Sequence, residues 1–265
     1  VVEGLLGDCV QQVNESVTVG DYTMMLESFA MDENDLGIAW VVVTCPKGFK
    51  YTTETGANEY GDPALSEDSE FRSIGLVWEE DRHPCCWPEV NEEFTTPTEL
   101  HLLLHFDANP DGKDLTRLTW DMSVVGHERD EGAIVVGPPE KRVEAIQCTS
   151  DESEFVVSVS PFGYVVDGHA VSQEYYEAVE EKALFTMNDS TELVALEDLE
   201  ELDGYSLVID NRFFSMASED YRSSRTLTTF FINTDALESV TIQQTLCGNE
   251  DNRDNTGDVV FYPER

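Results

Sequence analysis

Apolar residues at Val2, Leu5, Leu6, Cys9, Val10 and Val13 follow the i, i+3, i+4 spacing of a helix face, so a short amphipathic helix is expected over residues 1–13. Gly4 and Gly7 weaken it. Beyond this segment the period falls to two. Tyr22, Met24 and Leu26 alternate with Thr23, Met25 and Glu27, and Ile38-Ala39-Trp40-Val41-Val42-Val43 reads as a buried strand after the turn Asp32-Glu33-Asn34-Asp35. Together they predict a β-hairpin.

Further strands are expected over 73–78, 99–106, 114–125 and 133–136, separated by polar or Gly- and Pro-containing loops. In 114–125, Thr116, Leu118, Trp120, Met122 and Val124 face one way, while Arg117, Thr119, Asp121 and Ser123 face the other. That alternation puts one face on a core and one in water. Residues 51–71 form a long acidic loop, the expected mobile region of the first half. A breaker cluster at Gly137-Pro138-Pro139 suggests a boundary. After it, strands are expected over 154–159, 164–166, 183–187, 192–196, 205–209, 226–232 and 239–246, with one connecting helix over 172–182. The fold class is therefore mostly β: two β-sandwich, immunoglobulin-like domains over 1–145 and 146–265, with a short N-terminal helix.

Charge narrows the partners. Asp and Glu number 55 against 15 Lys and Arg, a formal net charge of −40 over 265 residues. Such a surface repels nucleic-acid phosphates and anionic lipid headgroups. A solvated shell, cation accumulation and a halophilic origin are all compatible with it. No run of about 18 apolar residues occurs, so nothing in this stretch spans a bilayer as a helix. The start at Val1, without a Met or a basic leader, suggests a segment cut from a longer protein.

Six cysteines, Cys9, Cys45, Cys85, Cys86, Cys148 and Cys247, contain no C-x-x-C pair. Disulfides and buried free thiols are equally open. Within the second half only Cys148 and Cys247 could pair, and Cys45 with Cys85 or Cys86 is the corresponding candidate in the first.

Candidate chemistry is sparse. The chain has no G-x-G-x-x-G, P-loop, G-x-S-x-G or H-E-x-x-H motif. His127-Glu128-Arg129-Asp130-Glu131 reads as a charged hairpin turn. Asp107-Ala108-Asn109-Pro110-Asp111-Gly112 imitates the start of a calcium loop, but Leu118 stands at its twelfth position, where a bidentate Glu belongs. It reads as turn chemistry. His101 and His105 share one side of a strand at roughly 13 Å, four residues at ~3.3 Å each, too far apart for one metal. His83-Pro84-Cys85-Cys86-Trp87-Pro88 reads as a rigid loop with one disulfide and a Trp anchor. No catalytic, cofactor-binding or metal-binding residue is assigned, and no cofactor.

The stretch Gln11-Gln12-Val13-Asn14-Glu15-Ser16-Val17-Thr18-Val19-Gly20-Asp21-Tyr22-Thr23-Met24, its acidic turn and the strand beyond it resemble a known family. This is the uncharacterised extracytoplasmic domain of Gram-positive anti-sigma-factor-like membrane proteins. Ser158-Val159-Ser160-Pro161-Phe162-Gly163 resembles the opening of its companion C-terminal β domain. The resemblance implies β-sandwich domains, a sensory or regulatory role without catalysis, and single-pass anchoring at the extracytoplasmic face of a bacterial membrane. On that view the membrane is engaged only through an apolar helix upstream of Val1, and the partner is an unknown ligand or protein at the cell surface. The alternative is an adhesion or carbohydrate-binding module, with Trp87, Tyr175 or Tyr176 forming a platform.

The acidic shell generates a direct expectation. Salt screens repulsion between carboxylates within a Debye length of ~8 to 10 Å near physiological ionic strength, so the melting temperature should rise from low to moderate salt. A flat melting temperature would show the charges to be too dispersed to repel, or already neutralised by bound cations.

Overall fold

Period-two segments become antiparallel strands, because each has an apolar side to bury and backbone N–H and C=O groups that need partners. The computed structural model describes residues 6–49, 70–76, 85–109, 114–167, 179–187, 200–202, 206–213, 223–228, 231–247 and 253–265. It is mostly β. The chain divides into two compact units: one holds Glu3–Met31 and Asp35–Arg142, the other Asp32–Asn34 and Val143–Arg265.

The first unit contains β1 (Gln11–Val19), β2 (Tyr22–Met31), β3 (Leu36–Thr44), β4 (Phe71–Leu76), β5 (Cys85–Val90), β6 (Glu99–Asp107), β7 (Leu118–Val124) and β8 (Ala133–Val136). They form a five-stranded sheet ordered β1-β2-β3-β6-β5 and a three-stranded sheet ordered β4-β7-β8. One core lies against both. Met24, Leu26, Val41, Leu104 and Phe106 enter it from the larger sheet, and Ile74, Trp120, Met122 and Ile134 from the smaller. Phe106 and Trp120 meet edge to face, ring centroids 5.0 Å apart, worth ~0.5–1.5 kcal/mol beyond their buried area. The pair needs Gly37: a Cβ there would lie 2.5 Å from Phe106 Cζ and 2.3 Å from the Ala30 carbonyl oxygen.

The second unit contains β9 (Ile146–Ser150), β10 (Ser153–Ser160), β11 (Gly163–Asp167), β12 (Val179–Met187), β13 (Glu200–Leu202), β14 (Ser206–Phe213), β15 (Ser223–Leu227), β16 (Leu237–Cys247) and β17 (Arg253–Pro263). They join in one nine-stranded sheet, β13-β14-β12-β16-β17-β9-β10-β11-β15. β17 is the link: it pairs with β16 from Arg253 to Phe261 and passes to β9 at Tyr262 and Pro263. The two arms share a core, with Cys148, Val157, Val159, Tyr164 and Val166 from one and Ala183, Phe185, Val240, Ile242 and Phe261 from the other.

Several expectations need correction. Of the helix expected over residues 1–13, residues 1–5 lie outside the described residues and Leu6 is helical, but the helix does not continue: Gly7–Cys9 is a 3-10 turn and β1 begins at Gln11. Gly7 takes φ +52, a left-handed conformation no right-handed helix continues through, and β2 offers the backbone partners instead, Gln11 opposite Phe29. The supposed loop at residues 83–88 is strand β5 from Cys85 onward, its Pro88 tolerated because β5 is an edge. The strand expected over 114–125 begins only at Leu118, and that over 226–232 stops at Leu227. Of the helix expected over 172–182, residues 179–182 belong to β12, and the rest lies outside the described residues. So do the strand expected over 192–196 and residues 51–69 of the acidic loop.

Neither disulfide pairing forms. Cys9, Cys45 and Cys148 are free thiols. Strand register explains this. Cys148 pairs with Pro263 and Cys247 with Arg253, ten positions apart on β17, or roughly 33 Å at ~3.3 Å per residue. Cys45 follows Thr44, which faces Glu99, whereas Cys85 and Cys86 face Asp107 and Phe106 at the other end of β6. A disulfide needs Cα atoms within about 7 Å.

The β10–β11 hairpin carries the sharpest steric demand. Ser160 pairs with Gly163 around Pro161-Phe162, and a Cβ on Gly163 would lie 2.0 Å from the Thr226 carbonyl oxygen of β15. Gly163→Ala should therefore lower the chemical-denaturation midpoint, at a cost in the ~1–3 kcal/mol range of overpacking or above it. Gly137→Ala, with nothing within 4 Å of its Cβ, should leave the midpoint nearly unchanged. Equal midpoints for the two variants would refute the close approach.

Candidate functional site

Among the described residues, polar side chains converge around Ser158 of β10, in the second unit. Asn34 Nδ2 and Gln147 Nε2 each donate to Ser158 Oγ at 2.9 Å, and the hydroxyl donates to Asn34 Oδ1 at 3.0 Å. Arg225 donates to the Asn34 carbonyl. The turn supplying Asn34 is held by its own backbone: Asn34 N–H donates to Asp32 Oδ1 at 2.8 Å, Glu33 N–H to the Val143 carbonyl at 3.1 Å, and Ala145 N–H to Glu33 Oε2 at 3.3 Å. Two amides fill the capacity of the buried Ser158 hydroxyl. Neither is a base able to activate it, so this arrangement positions a turn and does not make a nucleophile.

In the first unit Asp35 plays a comparable part. Its backbone is left-handed, φ +64; one carboxylate oxygen takes Arg142 and the other takes Asn109 Nδ2 at 2.7 Å. Asn109 N–H in turn donates to Asp107 Oδ1 at 3.1 Å. Asp107 and Asn109 of the calcium-loop imitation thus work within a hydrogen-bonded turn, and Asp111 and Gly112 lie outside the described residues. His105 Nε2 lies 3.1 Å from Glu89 Oε2, a carboxylate-oriented imidazole of the type used in acid–base catalysis. The His105 side chain is only 4% exposed, which leaves it no face for a substrate. His101, on the same strand, packs its ring on Phe94. His127 Nδ1 lies 2.9 Å from Glu131 in the turn after β7.

Asp121 is the group that pattern reading misses. Alternation along β7 assigns it to the water face, yet its side chain is 7% exposed. Arg129 Nε lies 3.6 Å from Asp121 Oδ2, beyond hydrogen-bond range, and among the described residues nothing hydrogen-bonds that oxygen. Burial pushes the Asp121 carboxyl above its usual range, and Arg129 offsets only part of the effect. Its cross-strand partners, Gly75 and Ala133, have little or no side chain, so nothing in the local pattern marks the position as covered. Asn34 and Ser158 sit within the two motif stretches that carry the resemblance, whereas nothing in the pattern around Gln147 or Arg225 singles them out.

Among the described residues no group of three or more His, Cys, Asp or Glu side chains is placed to hold a metal ion. Burial, with a smaller contribution from Glu264, pushes the Cys148 thiol up to about 12, which keeps it protonated and a poor nucleophile at neutral pH.

No family model matches the chain, and no curated protein matches it. The crystal structure of a conserved domain protein from Bacillus anthracis aligns over 98% of this chain and 93% of that one, at 7% identity and a TM-score of 0.41.

The Asp121 carboxyl gives a pH-dependent test. A raised folded-state pKa means that ionisation disfavours the native state: the penalty is full above that pKa and is relieved as pH falls through it toward the unfolded value. Asp121→Asn should therefore melt higher than the parent protein at neutral pH, with the gap closing on acidification. A variant melting lower at neutral pH would show that the Arg129 pair outweighs desolvation.

Proposed function

We propose that the chain is the extracytoplasmic, non-catalytic sensory or regulatory region of a membrane-anchored anti-sigma-factor-like protein, built as two immunoglobulin-like β-sandwich domains. One observation carries the reading. The acidic turn after the first motif and the Ser158–Gly163 stretch, far apart in sequence, meet through the Asn34 and Ser158 hydrogen bonds. Both stretches, each resembling part of one family, thus contribute to the same compact unit. The saturated Ser158 hydroxyl and the buried His105 agree with a region that transmits rather than catalyses. The described residues contain no helix long and apolar enough to cross a membrane, so anchoring on this reading requires a segment outside them.

The adhesion reading needs an aromatic platform. Trp87, Tyr175 and Tyr176 have side chains outside the described residues; among those described, the exposed aromatics Phe94 and Tyr262 belong to different units.

The test is made in cells expressing the full-length gene. External protease should degrade this region in intact cells, and its removal should change transcription from promoters dependent on the associated sigma factor. Protease resistance in intact cells would reject the localisation. Unchanged transcription together with binding on a glycan array would replace regulation with adhesion.

A further inference from the structure

Asn14-Glu15-Ser16 is an Asn-x-Ser triplet with x other than Pro, the acceptor pattern for N-linked glycans. It lies on β1, one of the two outer strands of the five-stranded sheet. A regular strand would turn alternate residues of the triplet toward the core. Here β1 slips against β2 between Gln12 and Glu15, so that Val13 and Asn14 together oppose Glu27. Asn14 has φ 55, the left-handed conformation some bulges require and Asn tolerates better than most residues. Asn14, Glu15 and Ser16 are consequently all exposed in succession, while Val13 and Val17 on either side pack against the core. The backbone alone accounts for an asparagine at position 14. It does not account for a hydroxyl two residues later, on a position facing solvent and paired with Met25.

We propose that Asn14 is an N-glycosylation site, receiving an oligosaccharide from a polyprenyl-phosphate-linked donor. The inference rests on the extracytoplasmic reading above, since such transfer takes place on exported chains. In the transfer a bond forms between Asn14 Nδ2 and the sugar C1 as the C1–O bond to the polyprenyl phosphate breaks. The phosphate leaves with the electron pair, and the amide proton passes to the transferase's base. The attached glycan would stand outward from the bulge and cover the free edge of β1.

The test is site-resolved glycopeptide mass spectrometry on the full-length protein purified from its own host, with cell fractionation of the same culture. The peptide containing Asn14 should carry carbohydrate mass. Asn14→Asp, which keeps the tolerance for left-handed backbone, and Ser16→Ala should each abolish that mass, and Ser16→Thr should retain it, with all three variants melting near the parent. An exported protein whose Asn14 is unmodified overturns the proposal and leaves the regulatory reading standing. Occupancy confined to the second triplet, Asn188-Asp189-Ser190, also overturns it. A chain retained in the cytoplasm with bare Asn14 removes both.

Discussion

A net charge of −40 is the constraint under which both units fold. Carboxylates outnumber basic side chains by 55 to 15, so most cannot be paired, and the positions of the few cations decide which segments are tied together. Several of those described tie turns and chain junctions to distant segments. Lys47 meets Asp21, Lys141 meets Asp8, and Arg142 joins Asp35 across 107 positions of sequence. Arg225 and Arg265 cap backbone carbonyls, of Asn34 and Leu237. Exposed pairs contribute little each, typically below about 1 kcal/mol. Their value lies in fixing the geometry of turns that apolar burial leaves undetermined, and in relieving repulsion where the chain reverses.

The motif stretches gain a physical meaning from this geometry. In Ser158-Val159-Ser160-Pro161-Phe162-Gly163, Ser160 Oγ accepts the Phe162 N–H at 3.1 Å, Phe162 is buried, and Pro161 and Phe162 offer carbonyls to Ile232 and Thr228. Gly163 lets β15 approach. Each residue type answers a local requirement of a hairpin packed on a neighbouring strand. Turn chemistry alone therefore accounts for the residue types of this stretch.

Strands with an apolar stripe were legible, and those without one were not. β2, β3, β6, β7, β10 and β16 alternate or run apolar, and the pattern finds them. β1 misleads because Val10 and Val13 extend a helical spacing that Gly7 ends, and because its bulge disturbs the period. β5 holds Pro88 and adjacent cysteines, which look like a loop until pairing with β6 supplies the context. Arg253-Asp254-Asn255-Thr256-Gly257-Asp258 is too polar to announce the strand that joins the two arms of the nine-stranded sheet. The candidate sites were least legible of all. Asp121 sits where alternation predicts water, and Asn34 reaches Ser158 from a turn 124 positions away, so only the folded chain brings them together.

Sheet edges impose a last requirement, since an unpaired strand invites pairing with another chain. Among the described residues, several sheet edges are blunted, by different means. β5 carries Pro88, which has no N–H to donate, and β13, β8 and β15 are only three, four and five residues long. β1 is the exception in length, with nine residues, and it is the edge that carries the left-handed Asn14 and the register slip. A strand of that length with regular pairing would present a continuous template. The bulge interrupts it midway, and Glu15 adds a charge beside the break. Charge alone was available in abundance to do this, and the backbone distortion is used in addition, so the bulge answers a need that net repulsion between acidic surfaces does not meet once salt has screened it.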